Sequence, residues 1–333
     1  MAKLKILVFE YITGGGCGAA EMPDSLAREG LLMLSSLIND LSKVEDIETL
    51  IMLDVRVNTL IKLPENHCYY VEPEQDCWQV YRQLLPVCDV VWPIAPESGG
   101  ILFKLCELAE QAGKTLLTSA SSAVAIAGDK WLTYLHLRRH TINTIVTEQL
   151  QQFQYRQGDW IIKPVDGVGC EDSYVITTED DFRQLSQRLE KSRYIVQPHI
   201  NGRKTSLSCS FKHGKGWLIC VNLQYFVLIN KRYQLTGIDV NIPDQRKPYL
   251  NLITQIAATL PGLWGYVGID LIELDDEIKV LEINPRLTSS YAGINRACGI
   301  NCAKEVLALL TGKPELQREQ PAMQQTVHIN LKA

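Results

Sequence analysis

Asp270, Glu282 and Asn284 are the residues whose types and spacing first suggest chemistry. They stand on two apolar, β-branched runs joined by the acidic turn Asp275-Asp276-Glu277, a pattern that predicts a β-hairpin. With Leu274 opposite Ile278, the register places Glu273 opposite Lys279, Asp270 opposite Glu282 and Gly268 opposite Asn284. Side chains alternate along a strand, so Asp270, Glu282 and Asn284 point to one face. Two carboxylates and an amide oxygen converging there repel one another unless a cation lies between them. Hard oxygen ligands of this kind suit Mg²⁺, or Mn²⁺ in its place, with phosphate oxygens completing the shell. An exposed hairpin with scattered acids is the alternative that these residues alone leave open.

The basic residues that would meet a phosphate chain come earlier. Lys130 follows Gly128-Asp129 at the start of a helix predicted over 131–139, where Asp129 can cap. Lys163 ends a strand over 159–164 and runs into a loop containing Gly167 and Gly169. A return strand over 173–177 and a helix over 178–191 capped by Thr178 follow. The strand after that leaves its sheet at Pro198. A nucleoside triphosphate needs each of these parts. Lys130 and Lys163 are point charges for phosphates, and the two glycines let backbone N–H groups approach phosphate oxygens. The backbone around Gln197, His199 and Ile200 can meet an adenine edge, and the acidic hairpin can hold the metal.

Positioning these groups requires a core, and 333 residues with 46% hydrophobic content allow two or three units. With 21% charged residues and a net charge of −5, nothing points to a nucleic-acid partner. No apolar run approaches the roughly 20 residues that span a bilayer. The start of the chain is interrupted by Glu10 and reads as a first strand rather than a signal peptide. Ten dispersed cysteines without a C-x-x-C pair suit a reduced, cytoplasmic protein acting on small molecules. Pairing of the chain as a homodimer is left open.

In order, strands over 5–10, 47–53, 69–71, 89–93 and 115–118 alternate with helices over 24–41, 77–85 and 102–111. That alternation predicts a parallel α/β domain with its ligand edge at the carboxyl ends of the strands. Glu10, Gly15 within the loop Gly14-Gly15-Gly16, and Glu97 fall at that edge and are candidates for substrate contact. The triple glycine does not match the dinucleotide spacing G-x-G-x-x-G. Gly113-Lys114-Thr115 lacks the P-loop's earlier glycine, since position 108 is Leu, so Gly113 reads as a helix C-cap. His136 and His140 are four apart but carry no H-E-x-x-H glutamate, which argues against zinc. Further on come a hairpin over 206–211 and 217–223, a loop over 237–243, helices over 247–260 and 301–311, and a strand over 326–331.

The order Lys130, Lys163 with its glycine loop, Gln197 to Ile200, Asp270, then Glu282-Ile283-Asn284-Pro285-Arg286 resembles the ATP-grasp superfamily over roughly residues 95–300. The final E-x-N-P-R is the most specific element. The resemblance implies an α/β (α+β) ATP-grasp fold in three parts. These are a pre-ATP-grasp domain over 1–118, a lid subdomain over 119–193, and a C-terminal subdomain with the metal site over 194–333. It also implies ATP-dependent ligation of a carboxylate to an amine through an acyl phosphate, with Lys163 and Arg286 in catalytic roles. Two departures stand out: Lys204 occupies the position where relatives often carry a ribose-binding Glu. Gly268 stands where many peptide-forming relatives carry an Arg.

Three segments are similar to the tyramine–L-glutamate ligases of methanofuran biosynthesis. They are Phe9-Glu10-Tyr11-Ile12-Thr13-Gly14-Gly15-Gly16, Ile94-Ala95-Pro96-Glu97 and Lys163-Pro164-Val165-Asp166-Gly167-Val168-Gly169. This implies amide formation between the γ-carboxylate of glutamate and tyramine or tyrosine, with Glu10 and Glu97 holding the amine. Other classes remain open. A ligase for other amino-acid or peptide substrates keeps the same machinery. A non-catalytic ATP sensor predicts loss of lysine or metal groups that are all present here. A biotin-dependent carboxylase is disfavoured by the lack of a biotinyl-lysine domain in the chain.

Overall fold

The computed structural model describes residues 3–61, 68–244, 246–314, 316 and 325–331. In the first third, α1 (Asp24–Leu41), α2 (Cys77–Leu84) and α3 (Ile101–Gln111) cover a parallel sheet. Its strands are β1 (Leu4–Glu10), β2 (Ile47–Asp54), β3 (Cys68–Val71), β4 (Val90–Ile94) and β5 (Thr115–Leu116), in the order β3-β2-β1-β4-β5. Helices on the sheet bury β4 along its whole length, which is why it reads as a continuous apolar run. Glu10 pairs with Ile94, so the carboxyl ends of β1 and β4 lie side by side.

The triple glycine forms a short helical turn packed inside this domain. A Cβ on Gly14 would come 2.5 Å from the Phe9 ring, and one on Gly15, at φ +100°, 2.6 Å from Val71 Cγ1. Close packing and backbone conformation therefore require these glycines. Gly15, expected at a substrate loop, faces Val71 instead.

After α4 (Ser121–Ala127) and α5 (Lys130–Arg139) comes a small antiparallel sheet. It contains β6 (Glu148–Gln149), β7 (Trp160–Pro164), β8 (Tyr174–Ile176) and, after α6 (Glu179–Arg188), β9 (Tyr194–Pro198), in the order β6-β9-β7-β8. Its core is Leu150, Phe153, Ile162, Ile176 and Val196. The sheet thus takes in one strand beyond residue 193. Thr178 Oγ1 accepts from Asp181 N at 3.1 Å and caps α6, while Asp129 Oδ1 accepts from Leu132 N at 2.8 Å and caps α5.

The last part is a six-stranded antiparallel sheet. In chain order its elements are β10 (Arg203–Lys212), β11 (Lys215–Ile229), β12 (Arg232–Val240), α7 (Arg246–Thr259), β13 (Gly265–Glu273), β14 (Ile278–Asn284), α8 (Tyr291–Cys298), α9 (Cys302–Ala308) and β15 (Val327–Asn330). Gly237 to Val240, expected to be loop, pair with both β11 and β15. The tip of the β11–β12 hairpin reaches the small sheet, where Val175 N donates to Lys231 O at 2.8 Å and Lys231 Nζ sits 2.7 Å from Asp181. Leu34, Leu37 and Leu41 of α1 share a core with Tyr291 and Ile294 of α8. Among the described residues no helix is long and apolar enough to cross a membrane.

The β13–β14 hairpin pairs Asp270 with Glu282 and Gly268 with Asn284, the register its sequence requires. Toward the turn it departs: Glu273 lies opposite Ile278, not Lys279. Leu274 N donates to Glu277 O at 2.9 Å, which tightens the loop to two residues. A bulge then absorbs Leu281, because Leu271 pairs with Val280 while Asp270 pairs with Glu282. The physical gain is one of phase. Val280 and Ile283, three apart, both enter the core, while Leu281 and Glu282 both line the cleft. Glu273 meets Thr205 and Tyr249 hydroxyls at 2.6 and 2.7 Å, and Lys279 pairs with Glu277 at 2.8 Å.

Candidate active site

A cavity of ≈ 160 Å³ between the small and large sheets is lined by Lys130, Lys163, Asp270, Glu282, Asn284 and Arg286, with Gly167 and Gly169 at its rim. The capped start of α5 fixes Lys130. Its Nζ lies 3.2 Å from Glu282 Oε2 and donates to the Gly167 carbonyl at 2.6 Å. Lys163, at the end of β7, is 8% exposed. Burial lowers its ammonium to about 8, with Glu282 pulling the other way.

The two acids of the hairpin are not equivalent. Burial pushes both carboxyls up. For Glu282 the charges of Lys130 and Lys163 outweigh burial and hold it below the ordinary carboxylate range. For Asp270 the charge of Glu282 adds to burial and raises it further. Asp270 accepts from two amides, Gln224 Nε2 at 3.0 Å and Asn284 Nδ2 at 3.2 Å. Among the described residues no Lys or Arg pairs with it. A half-buried carboxylate with no ion-pair partner among the described residues, beside a second carboxylate and an amide, fits a hard divalent ion. Among the described residues no three His, Cys, Asp or Glu gather into a metal cluster. Two carboxylates and an amide leave part of an octahedral shell to phosphate oxygens, which suits Mg²⁺ with a nucleotide.

Arg286 closes one end of the cleft. Its Nη2 donates to Glu97 Oε2 at 2.7 Å, and Nη1 donates to the Leu287 carbonyl at 2.9 Å. Glu97, expected to hold an amine, is thus taken up by the guanidinium, although its Oε1 and Arg286 Nε are buried without partners among the described residues. The same loop reaches the glycine loop, where Gly99 N donates to Asp166 Oδ2 at 2.8 Å. Glu10, the other amine candidate, is turned into its own domain. Thr13 N and Oγ1 donate to its Oε2 at 2.7 and 2.6 Å, and it does not line the cleft. Burial raises its carboxyl against those two bonds.

On the adenine side, Gln197 turns its amide to Thr147 Oγ1 at 2.9 Å, and His199 N donates to the Asp159 carbonyl at 2.9 Å. Lys204 lies 4.6 Å over the Tyr233 ring, whose hydroxyl meets His199 Nε2 at 2.7 Å. His136 on α5 and His140 just past its end lie with tilted rings 4.8 Å apart, centroid to centroid, outside the cleft lining.

Sequence reasoning passed over Glu29. On α1 it is one polar residue on a polar helix face, yet the shared core of α1 and α8 carries it to the cleft wall. There its Oε2 accepts from Ser289 Oγ at 2.7 Å, three residues beyond Arg286. Nothing in the local pattern signals this contact between residues 260 positions apart.

A family model of the ATP-grasp domain matches residues 127–290, and one of the pre ATP-grasp 3 domain matches residues 47–124. The chain is 28% identical over 297 residues to a tyramine–L-glutamate ligase of Methanocaldococcus fervens, covering 87% of this chain and 89% of that one. It is 27% identical over 293 residues to the enzyme of that name from Methanocaldococcus jannaschii, covering 87% and 84%. In structure it is similar to an ATP-grasp superfamily protein from Archaeoglobus fulgidus, with a TM-score of 0.72, 24% identity and coverage of 99% and 100%. The matched domains, the fold and the cleft agree: the chain belongs to the ATP-grasp family, and it is an ATP-dependent carboxylate–amine ligase.

Proposed function

We propose that this ligase joins the γ-carboxylate of L-glutamate to the amine of tyramine or tyrosine, as a step toward a methanofuran-like cofactor. The convergence of Lys130, Lys163, Asp270, Glu282, Asn284 and Arg286 on one cavity carries the chemistry. The similarity to the two tyramine–L-glutamate ligases supports the substrates. A carboxylate oxygen of glutamate attacks the γ-phosphorus of ATP. The bond from that phosphorus to the bridging oxygen breaks, and ADP leaves with the electron pair. Lys130 and Lys163 hold the phosphate charge, and the Ile200 N–H offers a donor to the adenine edge. Mg²⁺ held by Asp270, Glu282 and Asn284 supplies charge neutralisation on the phosphate oxygens. Arg286 stabilises charge on the transferring phosphoryl group and on the tetrahedral intermediate, and Glu97 orients it.

In the second step the amine nitrogen attacks the acyl carbon. The ammonium first passes one proton to water, which frees the nitrogen lone pair; the C–O bond to phosphate then breaks, phosphate leaves with the electron pair, and the departing phosphate takes the second proton from nitrogen. The Gly167–Gly169 loop keeps water from the acyl phosphate while this happens. The test is phosphate release from ATP and Mg²⁺ with glutamate alone and with tyramine or tyrosine added. Release only with both partners, with a new amide seen by mass spectrometry, supports the proposal. No release with either pair removes these substrates. Glu282→Gln should cut amide formation by at least about 100-fold with an unchanged circular dichroism spectrum; normal turnover would remove the metal assignment.

A further inference from the structure

Beside the cleft runs a larger groove of ≈ 1050 Å³, bounded by the first turns of α1, the glycine loop, α6 and the β11–β12 hairpin. The two spaces share Glu29, Gly169, Cys170 and Leu235 as walls. A molecule in the groove therefore reaches the cleft past Glu29. The lysines and the acidic hairpin take the phosphate side of the cleft, so the second substrate needs another approach, and this groove supplies one.

We propose, resting on the ligase reading above, that the groove receives the amine substrate and that the Glu29 carboxylate binds its ammonium. The surrounding geometry supports this. Gly30, the next residue of α1, packs so closely on Glu10 that a Cβ there would lie 2.6 Å from Glu10 Oε2, which fixes the helix on β1. Ser289 orients the Glu29 carboxylate at 2.7 Å, on the segment that follows Arg286. Arg286, whose charge Glu29 also feels, donates to Glu97 at 2.7 Å. Across the junction, burial and then the charges of Asp172 and Glu29 raise the Glu171 carboxyl, so the junction favours a cation. Leu26 and Leu235 add apolar wall for the body of an amine that carries a ring.

The test uses the full chain, Glu29→Gln and two nucleophiles. Gln keeps the size and the acceptor for Ser289 but removes the charge. With tyramine, KM for the amine should rise about tenfold to a hundredfold, the loss expected when a charged hydrogen-bond partner becomes neutral. With hydroxylamine, which is uncharged at neutral pH, hydroxamate formation from glutamate and ATP should stay at the rate of the unaltered enzyme. Ser289→Ala should raise the amine KM by a smaller factor and leave hydroxamate formation alone. An unchanged tyramine KM in Glu29→Gln overturns the proposal, as does a parallel loss of hydroxamate. Failure of the unaltered enzyme to form hydroxamate from glutamate sinks the underlying reading as well, and is distinguishable on that ground.

Discussion

Glu10 and Glu97 leave the same sheet at the carboxyl ends of adjacent parallel strands, and both are buried, at 2% and 7% exposure. From position alone they are equivalent. Glu10 finds its donors three residues on, in Thr13, and is satisfied within its own domain. The loop after Glu97 is Ser98-Gly99-Gly100, and the Glu97 carboxylate crosses instead to Arg286 with one oxygen left bare. The difference teaches that a carboxylate at a strand end becomes part of a site when its local loop fails to satisfy it. Hydrogen-bond supply, rather than burial or location, separates the two acids.

The largest effect should come from removing Glu97's partner. Arg286→Ala should lower kcat by about 100- to 1000-fold while the ATP dissociation constant changes little. It should also destabilise the fold by about 3–5 kcal/mol, because a buried carboxylate is left unpaired; equal losses in kcat and ATP binding would remove the transition-state role. Next, Glu97→Gln keeps one acceptor for the guanidinium and should lower kcat by about tenfold with amine KM unchanged. A selective rise in amine KM would instead return Glu97 to amine binding. On the other side of the comparison, Thr13→Val should reduce stability by about 1.5–3 kcal/mol in urea titrations without altering kcat. A kcat loss there would break the contrast.

The smallest effect concerns pH. Burial raises the Glu10 carboxyl above its unfolded value, so its contribution to stability is present below the unfolded pKa and lost as pH rises through the folded one. Glu10→Gln should therefore flatten the fall in urea midpoint over the pH range just above the ordinary carboxylate pKa. Parallel curves for the two proteins would show that Glu10 does not titrate in that window.

Much of the cleft was legible because local rules and tertiary structure agree there. Asp129 and Thr178 cap helices as their types require, and Asp270 faces Glu282 because alternation on two short strands fixes their face. The bulge at Leu281 was not legible, since it answers to the core that Val280 and Ile283 must both enter. Residues 237–240 carry Gly and Asp and read as loop, yet two neighbouring strands hold them extended. α8 follows β14 after the link 285–290, in a Ser- and Gly-containing stretch, and its packing on α1 makes it a helix. Glu29 and the Glu97–Arg286 pair depend on contacts across the chain that no local spacing encodes.

The reach of the β11–β12 hairpin to the small sheet has a mechanical consequence. The glycine loop leads into β8, and β8 is fastened to the hairpin tip through Val175 and Lys231, with α6 fastened to the same lysine through Asp181. The hairpin is therefore a strut whose base is rooted in the large sheet. Swinging the small sheet away must either flex that strut along its length or unfasten its tip. The stiffness of β11 and β12, which also carry Gln224 and Leu235 to the cleft wall, then sets how much work each opening of the cleft requires.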